Sequence, residues 1–73
     1  MYLCIILRRK RSRKRRSDMK ILIIEDEKVL SDSIMSYLKA EKYLCEQAFD
    51  YNDALMKVRL YDYDCVLLDL TLP

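Results

Sequence analysis

Ile21-Leu22-Ile23-Ile24-Glu25-Asp26-Glu27 is the stretch from which the rest of the chain can be read. Four consecutive apolar residues, three of them β-branched, suit a strand covered on both faces. Acidic residues end it at once. A second run of the same kind, Cys65-Val66-Leu67-Leu68, is ended by Asp69. Between them, Val29, Leu30, Ser33, Ile34, Tyr37 and Leu38 recur at helical spacing, which predicts a helix over roughly Lys28 to Lys42. Leu44 to Ala48 reads as a short strand. Asp50 can cap a second helix in which Ala54, Leu55 and Val58 share a face.

The order from Met19 is strand-helix-strand-helix-strand, which implies a parallel sheet. The first and third of these strands are the most apolar and belong in the centre. The second carries Glu46 and Gln47 and suits an edge. Counted from Met19, the spatial order is therefore 2-1-3. Right-handed crossovers then put the two helices on opposite faces. The expected class is α/β, a truncated flavodoxin-like doubly wound parallel sheet.

Composition removes several chemistries. The 73 residues allow one domain at most, and a chain this short is marginal without help. It has no Gly, which excludes glycine phosphate loops. It has no His, which excludes His-based metal sites and Ser/His or Cys/His nucleophile pairs. Cys4, Cys45 and Cys65 are odd in number and far apart, so a disulfide framework or zinc knot is not expected. Cys45 and Cys65 lie in apolar runs and read as core residues in a reducing, cytoplasmic setting.

The net charge of +2 conceals an asymmetry. Residues 8 to 16 hold eight basic residues out of nine, whereas from Met19 onward six basic face eleven acidic residues. Met1 to Leu7 is apolar, but too short to span a membrane, and its charges follow the apolar run instead of preceding it. Residues 1–18 could serve as a nucleic-acid-binding arm or an anionic-lipid anchor. The preferred reading is a basic extension that is disordered or a start-site artefact. Met19-Lys20 before a strand looks like a natural start, and purine-rich codons for Arg15-Arg16-Ser17 would spell a ribosome-binding sequence. A gene without them would remove that support. Residues 19–73 form the body.

In the expected topology Glu25-Asp26 and Asp69 lie at the C-terminal ends of neighbouring parallel strands, at the switch point where ligands bind. Three carboxylates this close call for a cation. Oxygen-only donors suit Mg²⁺. A carboxylate can attack a phosphoryl group to give an aspartyl phosphate, the metal neutralising the transferring oxygens. Without a glycine loop, the donor must be held by a partner.

Lys20 to Glu27, KILIIEDE, with Cys65 to Pro73, CVLLDLTLP, resembles the receiver domain of two-component response regulators over Met19 to Pro73. The Glu-Asp pair and the D-L-x-L-P ending are similar to the subfamily with a winged-helix DNA-binding output domain. The resemblance implies Asp69 as phosphoacceptor, with Asp26 and Glu25 holding Mg²⁺ and the backbone carbonyl of Thr71 completing the site. Pro73 would shape the loop that follows. The donor would be a sensor histidine kinase. DNA would be met only through a missing C-terminal domain, the intact protein admits a homodimer, and no membrane is implied. Such a domain is not an enzyme beyond self-catalysed phosphoryl transfer and autodephosphorylation.

The chain departs from the pattern in two places. Glu41-Lys42-Tyr43 has Glu where Gly is frequent. Three strands and two helices stand where the family has five of each, so its Ser or Thr on strand 4 and Lys on strand 5 match no residue here. Lys28 and Lys57 are read as solvated instead. The third strand is accordingly expected to leave an apolar edge open, the chain to be at best partly folded, and small phosphodonors to label it little. A second reading is a fragment of a Mg-dependent flavodoxin-like phosphatase, which would need another acid two residues past Asp69, where Thr71 sits. A third, a nucleic-acid binder driven by the basic block, is opposed by the acidic remainder.

Overall fold

The structure is a computed structural model, and it describes residues 2–6 and 16–69. The elements are β1 (Tyr2–Ile6), a 3-10 turn (Arg16–Asp18), β2 (Lys20–Ile24), α1 (Lys28–Ala40), β3 (Leu44–Ala48), α2 (Tyr51–Leu60) and β4 (Cys65–Asp69). They form one four-stranded sheet in the order β1-β4-β2-β3. β2 runs parallel to both β3 and β4, with Ile21 opposite Cys45 on one side and Cys65 on the other. From Met19 onward this is the expected α/β arrangement and the expected 2-1-3 order.

Alternation along β2 divides the core. Leu22 and Ile24 pack with Ala48, Ala54, Tyr63 and Val66 on the side of α2. Ile21 and Ile23 pack with Cys65, Ile34, Met35 and Leu38 on the side of α1. The helices therefore cover opposite faces, and Leu22 and Ile23 are fully buried. Each buried aliphatic side chain stabilises the fold by about 1.5–3 kcal/mol. Asp64 fastens the start of β4 to the start of β2. Its amide donates to Lys20 O at 2.8 Å, and Lys20 N donates to its Oδ2 at 2.8 Å.

The sheet differs from expectation at one edge. Tyr2–Ile6 runs antiparallel along β4, pairing Tyr2 with Asp69 and Ile6 with Cys65. The edge expected to be open is covered by this strand. The reason is physical. An exposed apolar strand offers unpaired N–H and C=O groups, and Tyr-Leu-Cys-Ile-Ile is a short β-prone segment able to meet them.

The helices also differ in detail. α1 ends at Ala40, not Lys42, because Lys42 takes a left-handed conformation (φ 77°). Lys42 N donates to Lys39 O and Tyr43 N to Leu38 O, closing a Schellman motif. The departure from glycine thus falls on Lys42, not Glu41. The inward stripe of α1 is Ser31, which is buried, with Ile34, Met35 and Leu38, which are half-buried, while Val29, Leu30 and Tyr37 are exposed. In α2 only Ala54 is buried, and Leu55 and Val58 are exposed. Asp50 caps α2 as expected, accepting from Asp53 N at 2.7 Å. Among the described residues no helix is long and apolar enough to cross a membrane.

Candidate functional site

Two strand ends build the site. β2 stops at Ile24 because Glu25 and Asp26 follow, and the chain must turn before α1. Glu25 N still donates to Ala48 O at 3.1 Å, so the pairing with β3 carries Glu25 one residue beyond the strand. Asp69 is the last residue of β4. Parallel register sets Ile24 opposite Leu68, which leaves Asp69 level with the acidic pair. One carboxylate oxygen from each of Glu25, Asp26 and Asp69 lies within 4.8 Å of the others. Glu25 and Asp69 are buried and Asp26 is exposed.

Both oxygens of Glu25 have donors. Glu27 N donates to Oε2 at 3.1 Å, and the Tyr2 hydroxyl donates to Oε1. Burial, the hydrogen bond to Glu25 and the charges of Glu25 and Asp69 push the Tyr2 phenol above its ordinary value. Tyr2 therefore remains a donor at neutral pH. The sequence did not point to Tyr2. Its only signal was an aromatic residue in an apolar run of strand length.

The donor set fits a hard divalent cation: three carboxylates, no nitrogen or sulfur, two buried and one open to solvent. Thr71 and Pro73 lie outside the described residues. Lys28 is exposed and pairs with Asp32 at 3.0 Å, as a solvated residue would. Lys57 is not simply solvated. Its ammonium donates to Gln47 O and lies 3.4 Å from Asp53, fastening α2 to β3.

Away from the site, a polar cluster finishes the β3 edge. Tyr63 donates to Glu46 Oε1 at 2.5 Å, and Lys20 pairs with Glu46 Oε2 at 2.9 Å. Lys20 also lies 5.1 Å from the Tyr61 ring centre and 5.2 Å from that of Tyr63. These contacts, the Tyr63 bond foremost, hold the Glu46 carboxyl below its usual range.

An open α/β sheet with acidic residues gathered at the carboxyl ends of two adjacent parallel strands is the architecture of a receiver domain. Residues 21–73 match the response regulator receiver domain, and the chain belongs to that family. It is 36% identical over 55 residues to the transcriptional regulatory protein CutR of Streptomyces coelicolor, covering 75% of this chain and 25% of that protein. The transcriptional regulatory protein DltR of Streptococcus agalactiae is 40% identical over 55 residues, with the same coverage. The cell cycle response regulator CtrA of Brucella ovis is 39% identical over 61 residues, covering 75% of this chain and 24% of the relative. The chain thus spans about a quarter of the length of these relatives. None of the three is named as a phosphatase, and the hydrolase reading finds no support. No solved structure matches.

Proposed function

We propose that the chain is the receiving part of a phosphorelay, in which Asp69 accepts a phosphoryl group from a sensor histidine kinase. The observation that carries this is the meeting of Glu25, Asp26 and Asp69 within 4.8 Å at the ends of β2 and β4. An oxygen of Asp69 attacks the phosphorus of a phosphohistidine. The O–P bond forms, the N–P bond breaks, and the imidazole leaves with the electron pair. Asp26 and Asp69 would hold Mg²⁺ with the Thr71 carbonyl. Glu25, whose oxygens already accept from Tyr2 and Glu27, would act through water. When bound, Mg²⁺ supplies neutralisation of charge on the transferring oxygens.

The module is not an enzyme in its own right, and it works in the cytoplasm. Residues 19–73 are the receiver part and residues 1–18 an extension whose first strand docks on it. The relatives' names, two of them transcriptional regulators, support an output in transcription. Contact with DNA through a C-terminal domain and a homodimer of the intact protein are part of the same proposal. Incubation with a phosphorylated histidine kinase and Mg²⁺ tests the reading. The expected product is a hydroxylamine-sensitive acyl phosphate on Asp69, absent from D69N and in EDTA. Labelling that survives D69N would refute it.

A further inference from the structure

The two thiols nearest one another belong to different strands and to no part of the carboxylate site. Cys4 Sγ and Cys65 Sγ are 2.7 Å apart, and both cysteines are free. Cys4 sits opposite Leu67 and Cys65 opposite Ile6, so the pair spans β1 and β4 diagonally. The sulfur contact itself shows that these two short side chains reach across the diagonal. Cys4 is exposed and Cys65 buried, whereas Cys45 lies on β3 across the sheet. The two sulfurs help to line a pocket of about 280 Å³ with Ile21, Leu38 and Leu67, through which a small molecule can approach them.

We propose that Cys4 and Cys65 form a reversible disulfide that staples β1 to the edge of β4, with a low-molecular-weight disulfide as oxidant. The exposed Cys4 reacts first. Its thiolate attacks the oxidant, forming a mixed disulfide and releasing one thiol. Cys65 then loses its proton and attacks the Cys4 sulfur. The Cys4–Cys65 bond forms and the second thiol leaves. Two protein thiols are oxidised and one small disulfide is reduced to two thiols, so atoms and electrons balance.

Burial, with Cys4 beside it, pushes the Cys65 thiol up to about 12, which makes it the slower, resolving partner. In a reducing compartment the pair stays open and closes only under oxidant. The staple has a purpose in this fold, because β1 is short and lies at the edge of the sheet, paired with β4 alone among the described strands. Tyr2 is two residues from Cys4, so closing the bond also fixes the tyrosine at Glu25.

The test is treatment of the whole chain with oxidised glutathione, alkylation of remaining thiols, and digestion with trypsin. Cleavage after Arg8 and Arg59 separates the two partners. The expected product is the linked pair of peptides 1–8 and 60–73, formed in C45S as in the parent and absent from C65S, which instead keeps glutathione on Cys4. Amide exchange of Leu3 and Ile5 is expected to slow at least tenfold in the oxidised chain relative to the reduced one. Equal linkage of Cys45 to either partner, glutathione mixed disulfides alone, or β1 exchange unchanged by oxidation would each overturn the proposal. None of these readouts involves metal or phosphate, so they stand apart from the phosphorelay reading.

Discussion

The Tyr2 hydroxyl, at the start of the first strand, donates to Glu25 Oε1 at the end of the second, 23 residues away. This bond ties the N-terminal strand to the carboxylate cluster and occupies one of the oxygens that a cation would attract. Y2F removes the donor while keeping the ring. The expected result is divalent affinity raised about three- to tenfold, equivalent to roughly 0.6–1.4 kcal/mol, and faster amide exchange in β1. Titration with Mg²⁺ and hydrogen exchange check the two halves. Unchanged affinity would mean that Tyr2 does not compete for Glu25.

Removing residues 1–18 should uncover the β4 edge along Cys65–Asp69. A chain beginning at Met19 is expected to self-associate at concentrations where the 73-residue chain stays monomeric, because an unpaired apolar edge recruits other strands. Sedimentation of the two chains side by side decides it. A monomeric shorter chain would show that β1 does not protect the edge.

The β3 edge should be pH-sensitive through Glu46. Its folded value is depressed by Tyr63 and Lys20, so its contribution is present above the ordinary carboxylate value and is lost as pH falls through the lowered folded value. Glu46 is more than a third exposed, which screens the pair and limits the effect to about 1 kcal/mol or less. E46Q should reduce the acid-limb dependence, read as the urea midpoint against pH, by the Glu46 share and leave stability lower by that amount at neutral pH. Asp32, also held low, keeps its own part.

Lys42 adopts a left-handed conformation that costs a side-chain-bearing residue about 1–2 kcal/mol. K42G should therefore stabilise the chain by roughly 1 kcal/mol, seen as a higher urea midpoint. Loss of stability would show that the αL turn at the end of α1 is not strained.

Much of this fold was legible because its signals are local. Ile21–Ile24 and Cys65–Leu68 are continuous apolar runs, Asp50 is a cap, and Glu46 and Gln47 mark a polar edge. The meeting of Glu25, Asp26 and Asp69 follows from strand order alone, since both groups end adjacent parallel strands. Tyr2 was not legible. Its place depends on antiparallel pairing with a partner far along the chain, Tyr2 with Asp69, and the basic block drew the reading of that region toward charge. The Cys4–Cys65 contact was hidden for the same reason. The stripe of α1 misled because Val29 and Tyr37 keep helical spacing with the core yet face solvent. The end of α1 was overrun because a left-handed lysine leaves no composition signal.

The most direct test of the carboxylate site is a titration with Mn²⁺ followed by paramagnetic resonance, with Mg²⁺ as competitor. One saturable ion per chain is expected, displaced by Mg²⁺. D26N and D69N should each weaken it about tenfold or more, a loss of at least about 1.4 kcal/mol. No saturable site, or an affinity in both variants equal to that of the parent chain, would contradict the account.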